Sequence, residues 1–396
     1  MTIAALVDEL GWMLRPAGGG IHTVSTGRAE QEQLQRTLYG ADTSQGEAGV
    51  GGPVRDVMAR WREALAEIAT ARVAVLAIPS DTGAGLVRGA AFGPAALRAA
   101  MLRLLPDYPA LARRAGVVDV GDVFVVPQLL HDDMLSDEQR TRTRAAIYSA
   151  GVLPAGGGTP SAAAVAGLPV SPLSMAEAVV SRLLSVNPAL KIFMLGGDHS
   201  VAWPVVAALA RHRRQPFAIV HPDAHTDLLS ERLGVKYCFA TWAYHANELI
   251  GRGGRLVQVG VRASRHPRAH WESTLGVRQF WAEEIAALGE AAALDAVMAH
   301  LQTLGVRDVY LSNDIDGTDA SVAPATGAPE GGGLSVSFVR ALIARLGQEL
   351  SLIGADLVEV APPIGAPEAA RRTVEVGARY ALESLAALTG TNAFLI

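Results

Sequence analysis

From residue 71 onward, short apolar runs alternate with longer segments whose apolar residues recur every three or four positions. The runs ARVAVLAIP (71–79), KIFMLGG (191–197), PFAIVHPD (216–223), RLVQVGV (255–261), VRDVYLSND (306–314) and LSLIGADLVEV (350–360) read as buried strands. Between them, GPAALRAAMLRLL (93–105), SVAWPVVAALARH (200–212), EAAALDAVMAHLQTL (290–304), LSVSFVRALIARLG (334–347) and the long PEAARRTVEVGARYALESLAAL (367–388) carry helical spacing. Strands apolar throughout, alternating with amphipathic helices, predict an α/β fold of three αβα layers around a mostly parallel sheet. In such a sheet, ligands bind beyond the carboxyl ends of the strands.

The first 70 residues are patterned differently and read as an N-terminal extension to a catalytic domain spanning 71–396. The stretches AGGG (17–20) and GADTSQGEAGVGGP (40–53) are loop-like, while Val54, Met58, Trp61, Leu65 and Ile68 form one helical stripe. The Gly/Ala/Pro-rich segment at 151–172 reads as a surface insertion. No internal repeat is visible.

Half of the chain is hydrophobic and 18% is charged, which predicts a large core. The net charge of −5, without a basic block, argues against nucleic acid and anionic membranes as partners. The one cysteine, Cys238, excludes an internal disulfide and suits a reducing cytoplasm; it reads as a small apolar filler. No apolar run is long enough to span a bilayer, and the acidic start MTIAALVDELGW reads as neither signal peptide nor anchor.

Chemistry concentrates where the apolar runs end. Gly196-Gly197-Asp198-His199-Ser200 follows one, His221-Pro222-Asp223-Ala224-His225-Thr226-Asp227 a second, and Asp314-Ile315-Asp316, with Asp319 beyond, a third. Side chains two apart on extended backbone point the same way, so Asp223, His225 and Asp227 can converge, as can Asp314 and Asp316. Two imidazoles and four carboxylates gathered at sheet ends need cations between them. Oxygen and nitrogen ligands without thiolate suit Mn, Fe, Ni or Zn. Six such groups are generous for one ion and natural for two, roughly 3.5–4 Å apart. Asp198 can cap the following helix or support a ligand, Ser200 reads as a cap, and Asp319 as a turn former.

GGDHS, DAHTD, SNDIDGTD with ATGAPEGGGL, and DLVEV occur here in the order found in the ureohydrolase family, which the chain resembles from about Arg72 to its end. That family, which includes arginases, agmatinases and guanidinobutyrases, hydrolyses a guanidino C–N bond at a dinuclear metal centre and releases urea. The resemblance implies His199 and Asp227 on the first ion, His225 and Asp316 on the second, and Asp223 and Asp314 bridging. It also implies that Asp227 orients the nucleophile and that Glu359 binds the guanidinium. The chemistry agrees: guanidinium is a poor electrophile, and two cations sharing a water lower its pKa and supply hydroxide at neutral pH. A planar carboxylate can hold the planar cation in place.

The chain departs from the family's pattern after DAHTD. Phe239 stands where many members carry a histidine that helps proton transfer, and His245 is the candidate replacement. Phe239, Trp242 and Tyr244 suggest a small apolar substrate cavity lined by Phe239 and Trp242. Pro222, Ala325 and Ala328 are lesser departures. Together, KYCFATWAYHAN (236–247), the SNDIDGTD spelling and the N-terminal extension look most like the nickel-dependent guanidine hydrolase branch. The expected reaction is guanidine to urea and ammonia with two divalent ions, Ni or Mn. Agmatinase or guanidinobutyrase activity with Mn is the alternative within enzymes. A non-catalytic partner subunit of an active ureohydrolase is the alternative outside them, though such a subunit should have lost ligands. The resemblance implies a homo-oligomer, trimer or hexamer, in the cytoplasm.

Overall fold

A computed structural model describes residues 2–21, 27–40, 52–149, 151–154 and 158–396. Among them, nine strands form one sheet: β1 (Leu14–Arg15), β2 (Val73–Ile78), β3 (Val117–Val123), β4 (Lys191–Gly196), β5 (Phe217–Pro222), β6 (Leu256–Val261), β7 (Arg278–Trp281), β8 (Asp308–Asp314) and β9 (Ser351–Val358). Their order is β1-β3-β2-β4-β9-β8-β5-β6-β7. Only the β1–β3 pair is antiparallel; every other pair is parallel.

Burial on both faces explains the unbroken apolar strands. In β2, Ala74, Leu76 and Ile78 enter one core, while Val73, Val75 and Ala77 enter the other. The first core is completed by the helices Ile3–Met13, Gly52–Glu67, Pro172–Val186 and Ala202–His212. The second is completed by Gly93–Leu104, Glu290–Thr303, Val336–Glu349 and Pro367–Thr389. The three-layer α/β architecture is therefore as read from the periodicity.

The residues before 71 are built into this frame. Leu6, Leu10, Met13, Trp61, Leu65 and Ile68 share the first core with β2 and β4. The Trp61 indole donates to the Val120 carbonyl at 2.9 Å, and β1 pairs Leu14 with Val123 at the edge of β3. The side chain of Val54 in the predicted stripe, and residues 41–51 of the 40–53 loop, lie outside what is described.

The segment at 151–172 differs from its expectation as an exposed insertion. Its described part includes the exposed helix Ala162–Ala166, but Leu168, Val170 and Ser171 are buried. Arg144 donates to the Leu168 carbonyl at 2.7 Å, Tyr148 to the Pro169 carbonyl at 2.6 Å, and Asp132 accepts the Ser171 N–H at 2.9 Å. Three anchored polar groups hold an apolar pair against the core, a signal that Gly/Ala/Pro content cannot carry.

Candidate metal centre

Four neighbouring strands, β4-β9-β8-β5, deliver the predicted groups to one end of the sheet. His199 follows β4 on a single 3-10 turn, His199–Val201, capped by Asp198, which accepts from the Ser200 N–H at 2.8 Å and the Gly83 N–H at 2.9 Å. Asp198 thus acts as a cap. Asp223, His225 and Asp227 leave β5, Asp314 and Asp316 leave β8, and Glu359 follows β9. Gly197 permits the approach of the β4 end to the neighbouring loop, since a Cβ there would lie 1.8 Å from the Ser80 carbonyl oxygen. Asp227 and Glu359 both adopt left-handed backbone, with φ of 52° and 63°. Such strain in non-glycine residues persists where surrounding structure enforces it, typically at functional sites.

Asp223 lies between the two histidines. His199 Nδ1 is 2.9 Å from Asp314 Oδ2, 3.3 Å from Asp223 Oδ2 and 3.4 Å from Asp227 Oδ2. His225 Nδ1 is 3.0 Å from Asp316 Oδ2 and 3.5 Å from Asp223 Oδ1. All six predicted ligands converge. Burial and the neighbouring carboxylates hold Asp314 well above the usual range and raise Asp316. Burial, with Asp223 beside it, pushes Asp227 up to about 8. Burial opposes charge on the imidazoles, but the carboxylates prevail, lifting His199 well above its ordinary value and His225 to about 12. In the protein alone, His199 and His225 answer the carboxylates by holding protons, whereas burial lowers the pKa of His221.

The donor set fits two divalent ions. His199 Nδ1 is fully buried and has no hydrogen-bond partner, whereas Nε2 meets the Ser312 hydroxyl at 3.0 Å. That hydroxyl is 3.0 Å from both oxygens of buried Asp356, which also accepts from Tyr310 at 2.8 Å. With Ser312 donating to the carboxylate, His199 must donate from Nε2, so Nδ1, aimed at three carboxylates, is the nitrogen that an ion would take in place of its proton. Ligand-type atoms within 4.8 Å of one another form two groups, His199, His221, Asp223, Asp227 and Asp223, His225, Asp316, which share Asp223.

The remaining predicted residues divide. Phe239 lines the cavity, about 190 Å3, above the ligands, together with Leu86, Val87, Arg232, Gly327 and Ala328. Glu359 also faces it; its Oε1 accepts the His199 N–H at 2.9 Å, leaving Oε2 open. Burial first, then Asp198, raises its pKa well above the ordinary value. Trp242 is corrected from cavity wall to buried support: its indole donates to Asp227 Oδ2 at 3.0 Å and its ring stacks on His199 at 4.5 Å. His245 is likewise not brought into the cavity. It sits among Trp203, Tyr237 and Tyr244, with Nε2 3.0 Å from the Lys236 carbonyl. The helical turn starting at Trp242 carries it outward, so it cannot reach a substrate as a proton shuttle. Asp319 forms a turn, accepting the Ser321 and Gly333 N–H groups at 2.8 Å each.

Sequence reading overlooked two groups. His221 Nε2 lies 2.6 Å from Asp223 Oδ2. Its place two residues before Asp223 was the available signal. Arg232 projects at the cavity mouth with its guanidinium carbon 4.9 Å from the Phe239 ring centroid and no ion-pair partner among the described residues. The two-residue turn Leu233-Gly234, both with positive φ, holds its backbone. A larger cleft, about 630 Å3, between the helices Val336–Glu349 and Pro367–Thr389 lacks such a ligand cluster, so volume alone does not mark the site.

The fold and this cluster define a metal-dependent hydrolase site. Residues 71–386 match the Arginase family, and the chain belongs to it; it is an amidinohydrolase of the ureohydrolase class. It is 30% identical over 334 residues to a guanidinobutyrase from Pseudomonas aeruginosa, covering 82% of this chain and 89% of that protein. It is 31% identical over 329 residues to the mitochondrial agmatinase of Gallus gallus, covering 81% and 82%. The crystal structure of a hypothetical agmatinase from Burkholderia thailandensis superposes with a TM-score of 0.60 at 26% identity, covering 82% of this chain and 87% of that one.

Proposed function

We propose that the protein hydrolyses a guanidino C–N bond with two divalent ions, nickel or manganese, and that its substrate is guanidine, giving urea and ammonia. The carrying observation is the convergence of all six ligands beneath a cavity where the sole further carboxylate in the lining, Glu359, stands opposite apolar walls. His199 and Asp227 would hold one ion and His225 and Asp316 the other, with Asp223 and Asp314 shared between them. When bound, the ions acidify a shared water and supply a strong nucleophile at neutral pH.

Glu359 Oε2 binds the substrate cation, while the His199 N–H fixes the glutamate's orientation through Oε1. Asp227, pinned through Oδ2 by Trp242, presents Oδ1 to take the water's proton and return it to the leaving nitrogen. Phe239 has no proton to give, and His245 lies outside, so Asp227 carries this transfer. A full ligand set argues against a non-catalytic partner subunit. We take the protein to be a homo-oligomer, trimer or hexamer, in the cytoplasm. Exposed Phe92 and Leu288 supply apolar contact area, and the buried, unpaired Cys238 suits a reducing compartment.

One observation favours a second substrate class. Arg232 at the mouth opposes a cationic tail such as that of agmatine and would pair with the carboxylate of a short guanidino acid. The relative named guanidinobutyrase fits this reading. Side-by-side assay of urea release from guanidine, guanidinobutyrate, agmatine and arginine, with metal analysis, separates the cases. Guanidine should give the highest kcat/KM. Arg232→Glu should leave guanidine within about threefold while improving agmatine by about tenfold, roughly the 1–2 kcal/mol of a close surface charge pair. Agmatine exceeding guanidine by orders of magnitude in the native enzyme overturns the small-substrate reading.

A further inference from the structure

His221 sits inside the cluster, and on distance alone it is a seventh candidate ligand. The groups behind it argue otherwise. His221 of β5 is the register partner of Gln258 on β6, and Gln258 is the partner of Gln279 on β7. Their side chains therefore line up across three parallel strands, at positions where a doubly covered sheet normally carries apolar residues. All three are fully buried.

The direction of every hydrogen bond in this row can be derived from one end. The Trp281 indole N–H, which can only donate, lies 2.9 Å from Gln279 Oε1. Gln279 must then present Nε2 to Gln258 Oε1, at 2.8 Å. Gln258 must in turn direct Nε2 the other way, donating to the Thr226 carbonyl at 2.6 Å and to His221 Nδ1 at 3.0 Å. A His221 Nδ1 that accepts leaves the ring's single proton on Nε2, which lies 2.6 Å from Asp223 Oδ2. The Asp223 carboxylate is also held on its other oxygen by the His225 N–H, at 2.5 Å.

We propose that Trp281, Gln279, Gln258 and His221 form a polarity-setting row that fixes His221 as the Nε2–H tautomer, so that it orients the shared carboxylate of Asp223 and does not itself bind an ion. Gln258, Gln279 and Trp281 are positioning residues acting from neighbouring strands. The consequence for metal retention rests on the metal-centre reading above; the tautomer does not. Were the ring reversed, its Nε2 lone pair would face a carboxylate oxygen at 2.6 Å, and Asp223 would have to rotate or take a proton. Either change removes a ligand that both ions would share.

The test uses the full-length protein labelled with 15N-histidine, in which bare and protonated ring nitrogens resolve, with the His221→Asn variant assigning the resonance. Wild type should show His221 with Nε2 protonated and Nδ1 bare. Gln258→Glu, nearly isosteric and, when ionised, unable to donate, should draw a proton onto Nδ1. It should also weaken ion retention during dialysis against graded chelator by roughly 10–100-fold, the usual effect of losing a partner behind a metal ligand. Should Gln258→Glu fail to fold, Trp281→Phe at the half-buried sheet edge takes its place and should yield a mixture of tautomers with weaker retention. A bare Nε2 in wild type, or variants with tautomer and retention both unchanged, overturns the proposal. The tautomer is read in chelator-stripped protein, so a chain found to bind no divalent ions would defeat the proposed function and leave this inference standing.

Discussion

Asp223 is the residue on which the centre turns, because its two oxygens meet three histidines, Oδ2 facing His221 and His199 and Oδ1 facing His225. Burial alone would raise its pKa, but His221, His199 and His225 outweigh that and hold it well below the usual carboxylate range. Asp223→Ala should therefore release both ions and lower kcat by more than about a hundredfold, exceeding the loss typical of an outer partner. Metal analysis of the purified variant checks this, and a loaded, active variant would refute the shared-ligand assignment. Such residues were legible because two apolar runs end in acids and imidazoles spaced by two and a third ends in His199, even though Asp227 and the turn carrying Asp316 leave the extended backbone that the spacing assumes. Trp242, Gln258 and Gln279 were not. Their roles depend on which strand lies beside which, and a Trp or Gln near an apolar run carries no mark of the carboxylate or imidazole it will meet. His245 misled for the same reason: proximity in sequence to Phe239 implied proximity in space, and one helical turn removed it.

Elements followed their patterns where the pattern was complete. The strands ending in ligands carry unbroken apolar stretches and were visible; β3, Val117–Val123, was not, because Asp119, Gly121 and Asp122 give it the look of a loop. Arg98, from the helix Gly93–Leu104, resolves that contradiction. It pairs with both oxygens of Asp119 at 2.8 Å and also with Asp122, so the acids sit in a strand beside a buried cation. The stripe of the helix Gly52–Glu67 was legible, but not what it packs on, since β3, which receives it, was not visible. Trp61 is fully buried and hydrogen-bonded to β3. Trp61→Ala should destabilise the protein by about 3–5 kcal/mol through lost burial and a residual cavity. Urea unfolding followed by circular dichroism reads this directly; a change below about 1 kcal/mol would mean the first 70 residues only decorate the domain.

For the whole molecule, the ligand cluster makes metal binding and folding stability one problem. In the chain without its ions, burial pushes Asp198 and Asp356 up to about 6 and Asp227 to about 8, and His225 stands at about 12. Each of these groups holds its proton more tightly folded than unfolded. Between about pH 4 and pH 8 the native chain therefore carries more protons than the unfolded chain, and stability must fall as pH rises through that window. Asp223 acts in the opposite sense below the ordinary carboxylate range, and His221, lowered by burial, opposes the trend below about pH 6.5, one group against four. Divalent ions reverse the balance, because they take the place of the protons on the histidines and neutralise the ionised carboxylates. Chelator-stripped protein should thus melt several degrees lower at pH 8 than at pH 5.5, and added metal should raise the melting temperature far more at pH 8. Scanning calorimetry at the two pH values, with and without metal, measures both differences. Stripped protein more stable at pH 8 would mean that these carboxylates are neutralised from within the chain, and that the fold has no need of ions at the end of its sheet.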